Sequence, residues 1–244
     1  DSNMRLDKFF CNCTGATRTE AKKIIKAKKV YVNGQIENKP EFKVNENDDI
    51  VIYGGKELKF EKYSYYLFHK PMGCVTAKND NLHKTVMDYL PAELQNDFAP
   101  VGRLDLDTEG VLIITNDGEL THHLISPSHH VDKTYYALVD AKLDESAVSA
   151  FAKGIDIGDD NLTLPAKLTI LDGKTEYNGK SCYPVEITIN EGRYHQVKRM
   201  TKAVGAEVVY LKRISMGNLC LDEHLAAGEY RPLTEEEIVE LRKS

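Results

Sequence analysis

No run of apolar residues in this 244-residue chain is long enough to cross a bilayer, and no signal-peptide pattern opens it, so nothing argues for insertion or export. Cysteine is sparse and odd in number. Cys11, Cys13, Cys74, Cys182 and Cys220 form no paired framework in a chain too long to need one, and the simplest expectation is reduced thiols in a cytoplasmic protein. Internal repeats and low-complexity segments are absent. An overall positive charge is missing too: 32 Lys and Arg against 38 Asp and Glu leave a net charge of −6, which alone speaks against a nucleic-acid partner. The length allows one large domain, or a small domain followed by a larger one. The 41% apolar content is ordinary for a globular protein. Asp1–Asn3 ahead of Met4 read as an added remnant, with Met4 as the natural start.

The charge is unevenly placed. Between Arg18 and Lys29 stand Arg18, Lys22, Lys23, Lys26, Lys28 and Lys29 against the single acid Glu20, while acids gather after Glu61 and around Glu235–Glu237. A local basic face steers a polyanion even when the whole molecule is acidic. It could equally be the solvated face of a helix.

Residues 4–60 read as a small unit of their own. Leu6, Phe9, Phe10 and Cys13 fall at helical spacing. Thr17 with Glu20 is a capping box that opens a second helix carrying Ile24 and Ile25. Val30 and Val32 alternate into an Asn33-Gly34 hairpin signal with Ile36 on the return, and a strand at Ile50–Tyr53 closes the unit. Gly54–Ser64 reads as a polar linker.

From residue 64 to residue 244 the pattern changes. Tyr65–Phe68 is a strand ending in a turn at His69-Lys70-Pro71-Met72-Gly73. Strand-like runs recur at Val111–Ile114, Tyr135–Val139, Leu168–Ile170, Tyr183–Ile189, Val208–Leu211 and Leu219–Leu221. One helix near Leu124 stops at Ser126-Pro127. Another carries Val197, Met200 and Val204 and ends at Gly205. A last one begins at the Thr234/Glu237 capping box. Strands and helices are mixed without strict alternation, so the class is α+β.

The most informative stretch runs from Val101 to Leu112: Val-Gly-Arg-Leu-Asp-Leu-Asp-Thr-Glu-Gly-Val-Leu. Glycines there permit a tight turn that presents side chains into a cleft. Asp105 and Asp107 could suggest a glycosidase pair, but one residue separates them and Arg103 lies beside them. A nearby cation favours an ionised carboxylate, suited to a nucleophile or base. A solvated charged turn is the other reading. His122, His123, His129 and His130 invite a metal, but adjacent histidines point apart, no acidic or cysteine cluster joins them, and Cys11-x-Cys13 is no zinc knuckle, so no metal is expected.

Gly102-Arg103-Leu104-Asp105 resembles the Gly-Arg-Leu-Asp motif of pseudouridine synthases, and Asp107-Thr108-Glu109-Gly110 resembles its continuation in the ribosomal branch. Lys133-Thr134-Tyr135 is similar to that family's Lys-x-Tyr block, Glu191–Met200 to its third block, and Lys70-Pro71-x-Gly73 to its opening strand. Ser126-Pro127-Ser128-His129-His130 looks particularly like the small-subunit (16S rRNA) synthases, and residues 4–60 resemble the alpha-L (S4-like) RNA-binding domain.

The resemblance implies a mixed, mainly antiparallel sheet flanked by helices over residues 64–244. It also implies isomerisation of a uridine in ribosomal RNA, free or in a partly assembled subunit. Asp105 would be the catalytic carboxylate, Tyr135 would stack on the target base, and Lys198 would pair with the carboxylate. Arg103 would fill the gap left by the flipped base, and Arg193 would also meet the RNA. Arg18, Lys22, Lys23, Lys26 and Lys29 would take phosphates, while Arg199 and Lys202 could be phosphate contacts or the solvated face of their helix. The reaction breaks the bond from ribose to a ring nitrogen and rejoins the base through a ring carbon. Nothing is added or lost, so no cofactor is implied, and a monomer suffices. Asp105 could act as nucleophile or base. Tyr135 could instead be an interior strand tyrosine, and Lys198 part of a solvated helix face. A single-site large-subunit enzyme and a non-catalytic assembly protein are the alternatives. The second has no need of a carboxylate grouped with Tyr135 and Lys198.

Overall fold

The computed structural model describes residues 3–244, apart from the side chain of Glu93. The chain divides into two compact units, the first ending at Tyr63 and the second running from Ser64 to Ser244.

In the first unit the order is β1 (Asn3–Arg5), α1 (Leu6–Thr14), α2 (Arg18–Lys26), β2 (Val30–Val32), β3 (Gln35–Ile36), β4 (Lys43–Asn45), β5 (Val51–Tyr53) and β6 (Lys56–Glu57). Leu6, Phe9 and Phe10 from α1, Ala21 and Ile25 from α2, and alternate strand residues Val30, Val32, Val44 and Val51 form its core. Thr17 caps α2 by accepting from the Glu20 amide at 3.1 Å, but its hydroxyl then donates to the Glu20 carboxylate at 2.9 Å. Glu20 therefore takes the hydroxyl rather than the backbone, and only half of the expected capping box forms. Asn33 and Gly34 both take positive φ, 51° and 82°, the geometry of a tight hairpin between β2 and β3.

One expectation changes here. Gly54–Ser64 is mostly not a linker, because Lys56–Glu57 pairs with β5, Leu58 and Phe60 pack on the core, and Phe60 stacks on Phe9 at 5.8 Å. Apolar residues within a polar stretch recovered burial that composition concealed. Of the presumed remnant, Asp1 and Ser2 lie outside the described residues, while Asn3 pairs with Asn45 in the β1–β4 ladder.

The second unit runs β7 (Tyr65–Lys70), β8 (Cys74–Val75), β9 (Lys84–Thr85), β10 (Ala99–Pro100), β11 (Thr108–Thr115), α3 (Gly118–Ile125), β12 (Lys133–Val139), α4 (Glu145–Lys153), β13 (Lys167–Ile170), β14 (Thr175–Tyr177), β15 (Lys180–Ile189), α5 (Gln196–Ala203), β16 (Val208–Met216), β17 (Leu219–Cys220), β18 (Tyr230–Pro232) and α6 (Glu235–Arg242). Its main sheet has the order β13-β15-β12-β16-β11-β7-β18. Within it, among the described residues, only β11 and β16 pair in parallel. The class is thus α+β, with a mixed and mainly antiparallel sheet. The β11 run Val111–Ile114 is apolar and buried at every position, so this strand is shielded on both faces.

β7 carries on through His69 and Lys70, which were read as turn, and the turn itself begins at Pro71. β11 begins at Thr108 rather than Val111, since Thr108, Glu109 and Gly110 pair with Leu211, Lys212 and Arg213 of β16. Gly110 is required at this crossing: its φ is +114°, and a Cβ there would lie 2.1 Å from the Arg213 carbonyl oxygen. The helix α4, absent from the sequence reading, is capped by Asp144, which accepts from the Ser146 amide, and it buries Ala147 and Phe151.

Candidate active site

The loop that leads into β11 carries Asp105. Three backbone devices hold it. The Thr76 hydroxyl bonds both the carbonyl and the amide of Leu104 at 3.2 Å, the Gly73 amide donates to the Leu106 carbonyl at 2.9 Å, and the Thr108 amide donates to the Asp105 carbonyl at 3.0 Å. Beneath them lies Lys70, fully buried, whose ammonium donates to the carbonyls of Pro71, Leu106 and Thr108 at 2.9, 3.3 and 2.7 Å. Burial pushes the Lys70 ammonium below the usual lysine range, and the neighbouring Asp107, Asp105 and Glu109 offset part of this.

Across from the loop, α5 brings up Lys198. Its Nζ lies 3.2 Å from Asp105 Oδ2 and 2.7 Å from Asp107 Oδ1, so one ammonium bridges the two carboxylates. Burial works against the charge on Lys198, but the bond to Asp107 and both carboxylate charges outweigh it and hold its pKa above the usual value. Burial likewise opposes ionisation of Asp107, and Lys198 overcomes it, leaving that carboxyl below the ordinary range. His195 Nε2 approaches the other oxygen of Asp105 at 3.5 Å. His195 falls inside the Glu191–Met200 block, and no pattern in the sequence singles it out. It sits at the start of α5 with φ +47°, and its ring stacks on Tyr194 at 3.8 Å.

The turn before α5 is built by an internal lock. Glu191 accepts from Arg193 Nε at 2.8 Å, from Gln196 Nε2 at 3.0 Å and from the Leu164 amide at 2.6 Å. Arg193 also donates to the carbonyls of Asn161 and Leu162, both at 2.7 Å. These donors are therefore engaged inside the chain, and Arg193 also lines the cavity that contains Asp105. Arg199 is similarly tied to Tyr194, Ile157 and Asp159. Lys202 is exposed.

Asp105, Tyr135 and Lys198 line one cavity of about 680 Å³, together with Arg103, Leu211 and Arg213. Tyr135, 8% exposed, comes from β12 and is at once part of the hydrophobic core and part of the cavity wall. Arg103 is exposed and makes no hydrogen bond or ion pair among the described residues. In the first unit Lys22, Lys23, Lys26 and Lys29 are exposed, whereas Arg18 lies 3.3 Å from the buried carboxylate of Asp7. Among the described residues no group of three or more His, Cys, Asp or Glu is placed to hold a metal ion. His123 and His129 instead pack ring against ring at 4.2 Å. No helix among the described residues is long and apolar enough to cross a membrane.

The site thus brings together a carboxylate beside a cation, an aromatic wall and a cavity large enough for a nucleotide base, the parts of an enzyme's active site. Comparison with known proteins agrees: residues 64–203 match the RNA pseudouridylate synthase family, and the chain belongs to that family. Residues 4–50 match the S4 domain. An uncharacterised RNA pseudouridine synthase of Bacillus subtilis, YtzG, is 43% identical over 96% of this chain and 97% of its own length. The ribosomal small subunit pseudouridine synthase A of Haemophilus influenzae is 40% identical over 98% of this chain and 100% of its own. A crystal structure of a pseudouridylate synthase, 39% identical, superposes with a TM-score of 0.68 over 98% of this chain and 99% of that one.

Proposed function

We propose that this pseudouridine synthase isomerises a uridine of small-subunit ribosomal RNA, with Asp105 as the carboxylate that acts on the nucleotide. The observation that carries the reading is the Asp105 carboxylate, held between Lys198 at 3.2 Å and His195 at 3.5 Å on the wall of the cavity that also contains Tyr135. The class of RNA is suggested by relatives of nearly equal length named as ribosomal small-subunit synthases.

The target base is flipped into the cavity, where Tyr135 offers its face. Arg103, exposed and unpaired among the described residues, fills the gap left in the RNA. Lys198 sets a positive charge 3.2 Å from Asp105, beside the carboxylate that attacks the sugar or takes a proton. The exposed lysines of α2 hold phosphates. Arg193 and Arg199 shape the turn that aims α5, and Arg193, on the cavity wall, also meets the RNA. A ribosomal RNA substrate, free or in a partly assembled subunit, places the work in the cytoplasm.

The test is to incubate the protein with 16S rRNA and map pseudouridine. Asp105→Asn keeps the shape and removes the charge. It should abolish the modification while leaving RNA binding in place, and substantial product from that variant would end the assignment.

A further inference from the structure

Among the described residues five buried side-chain atoms lack a hydrogen-bond partner, and three of them line the Asp105 cavity: Arg213 Nη2, Asn190 Oδ1 and Thr108 Oγ1. Buried polar atoms are nearly always satisfied, so their gathering at one cavity calls for an explanation in terms of what the cavity receives. Together they offer a donor and an acceptor, as the edge of uracil requires.

Arg213 is the most informative of the three. It is 2% exposed and lies on β16 beside Tyr135 of β12. Its Nε donates to the Val111 carbonyl at 2.9 Å, which fixes the plane of the guanidinium. Among the described residues it has no carboxylate partner. A guanidinium does not lose its proton in a protein, so this is a permanent buried charge. Its field reaches Lys133, another cavity residue, whose ammonium is held below the usual lysine range by burial and then by Arg213.

We propose that Arg213 is a further catalytic residue, donating from Nη2 to a ring carbonyl oxygen of the flipped uracil and stabilising the negative charge on the base while it is detached from the sugar. The inference rests on the uridine-isomerase reading above. When the bond from C1′ to N1 breaks, its electron pair moves into the ring and spreads to O2 and O4. The base turns, C5 bonds to C1′, the C5 hydrogen leaves as a proton, and N1 takes up a proton. Arg213 neither gives nor accepts a proton. It supplies a fixed charge where charge develops, the arrangement that contributes most in a site shielded from water.

The experiment follows release of the C5 hydrogen in single turnover, on a small-subunit rRNA fragment containing the mapped uridine or 2-thiouridine or 4-thiouridine in its place. Sulfur is a poor acceptor, so one of the two replacements should slow the parent. Arg213→Gln should be about 100-fold slower or more on uridine, the scale for loss of one such donor. Its RNA affinity should match the parent's, and it should be insensitive to the sulfur that slows the parent. Arg213→Lys keeps the charge and should recover part of the rate. If Arg213→Gln does not fold, Arg213→Lys carries the test: a diminished sulfur penalty supports the proposal, and an undiminished one overturns it. A parental rate for Arg213→Gln, a sulfur penalty equal to the parent's, or a parent indifferent to both sulfurs would each overturn it. A parent that makes no pseudouridine would instead sink the proposed function, so the two failures are distinguishable.

Discussion

Lys70 is the residue whose replacement most directly tests how the active loop is held. Lys70→Met keeps the length of the side chain and removes an ammonium that donates to three carbonyls, two of them, Leu106 and Thr108, flanking the acids. A hydrogen bond from a charged donor is worth about 1.5–3 kcal/mol, and the 3.3 Å contact to Leu106 counts for less than the other two. The cost of burying the ammonium, seen in its lowered pKa, takes back part of that. The net loss should be about 2–4 kcal/mol, which lowers Tm by roughly 5–15 °C in a unit of this size. Thermal unfolding and single-turnover isomerisation measured on the same preparation read both consequences. There is also a pH signature. The unfolded chain holds this proton more tightly than the folded one, so this group's contribution to stability rises as pH climbs from the folded pKa to the ordinary lysine value. Lys70→Met should lose that rise. A variant that melts within about 2 °C of the parent and turns over at the parental rate would show that the carbonyls hold the loop without Lys70.

Tyr135→Ala should weaken stacking of the flipped base by about 1–3 kcal/mol, read as a slower single turnover with RNA affinity little changed; a parental rate would make Tyr135 a core residue only. Lys198→Met removes the cation from both carboxylates and should slow the chemical step, while Asp107→Asn leaves Lys198 to Asp105 and should cost far less; equal damage from the two would refute this division. Replacing Lys22, Lys23 and Lys26 with neutral residues should weaken RNA capture and reduce the salt slope of binding by about 2–3, at roughly 0.7–0.9 per phosphate contact. An unchanged slope would assign the basic helix to another partner.

The fold was legible wherever the local pattern and the tertiary setting agreed. The Asn33-Gly34 hairpin, the Thr234 capping box and the Val197–Met200 helix face lie where the spacing puts them. The misreadings share a cause, which is pairing over long sequence distances. Thr108-Glu109-Gly110 has the composition of a turn and becomes strand only because β16, about a hundred residues later, lies alongside. Lys70 looks like an exposed turn lysine, and its burial follows from carbonyls contributed by residues near 106 and 108. The bonds from Arg193 to Asn161 and Leu162 are equally invisible in the sequence, because those partners lie on a loop with no marked pattern of its own. No local signal carries these facts. A buried lysine or arginine is written in the sequence in the same letters as a solvated one.

The choice between the two neighbouring acids shows the same division at the site itself. By distance to the cation alone Asp107 would win, at 2.7 Å from Lys198 against 3.2 Å for Asp105. Yet the Asp107 side chain is 66% exposed against 34% for Asp105, and only Asp105 lines the cavity and is also approached by His195. An exposed ion pair contributes little free energy, because water screens it and both side chains lose freedom in forming it. The short contact to Asp107 therefore serves best as a tether. It holds the end of Lys198 in place without removing it from Asp105, so the carboxylate on the cavity wall keeps a positioned cation beside it.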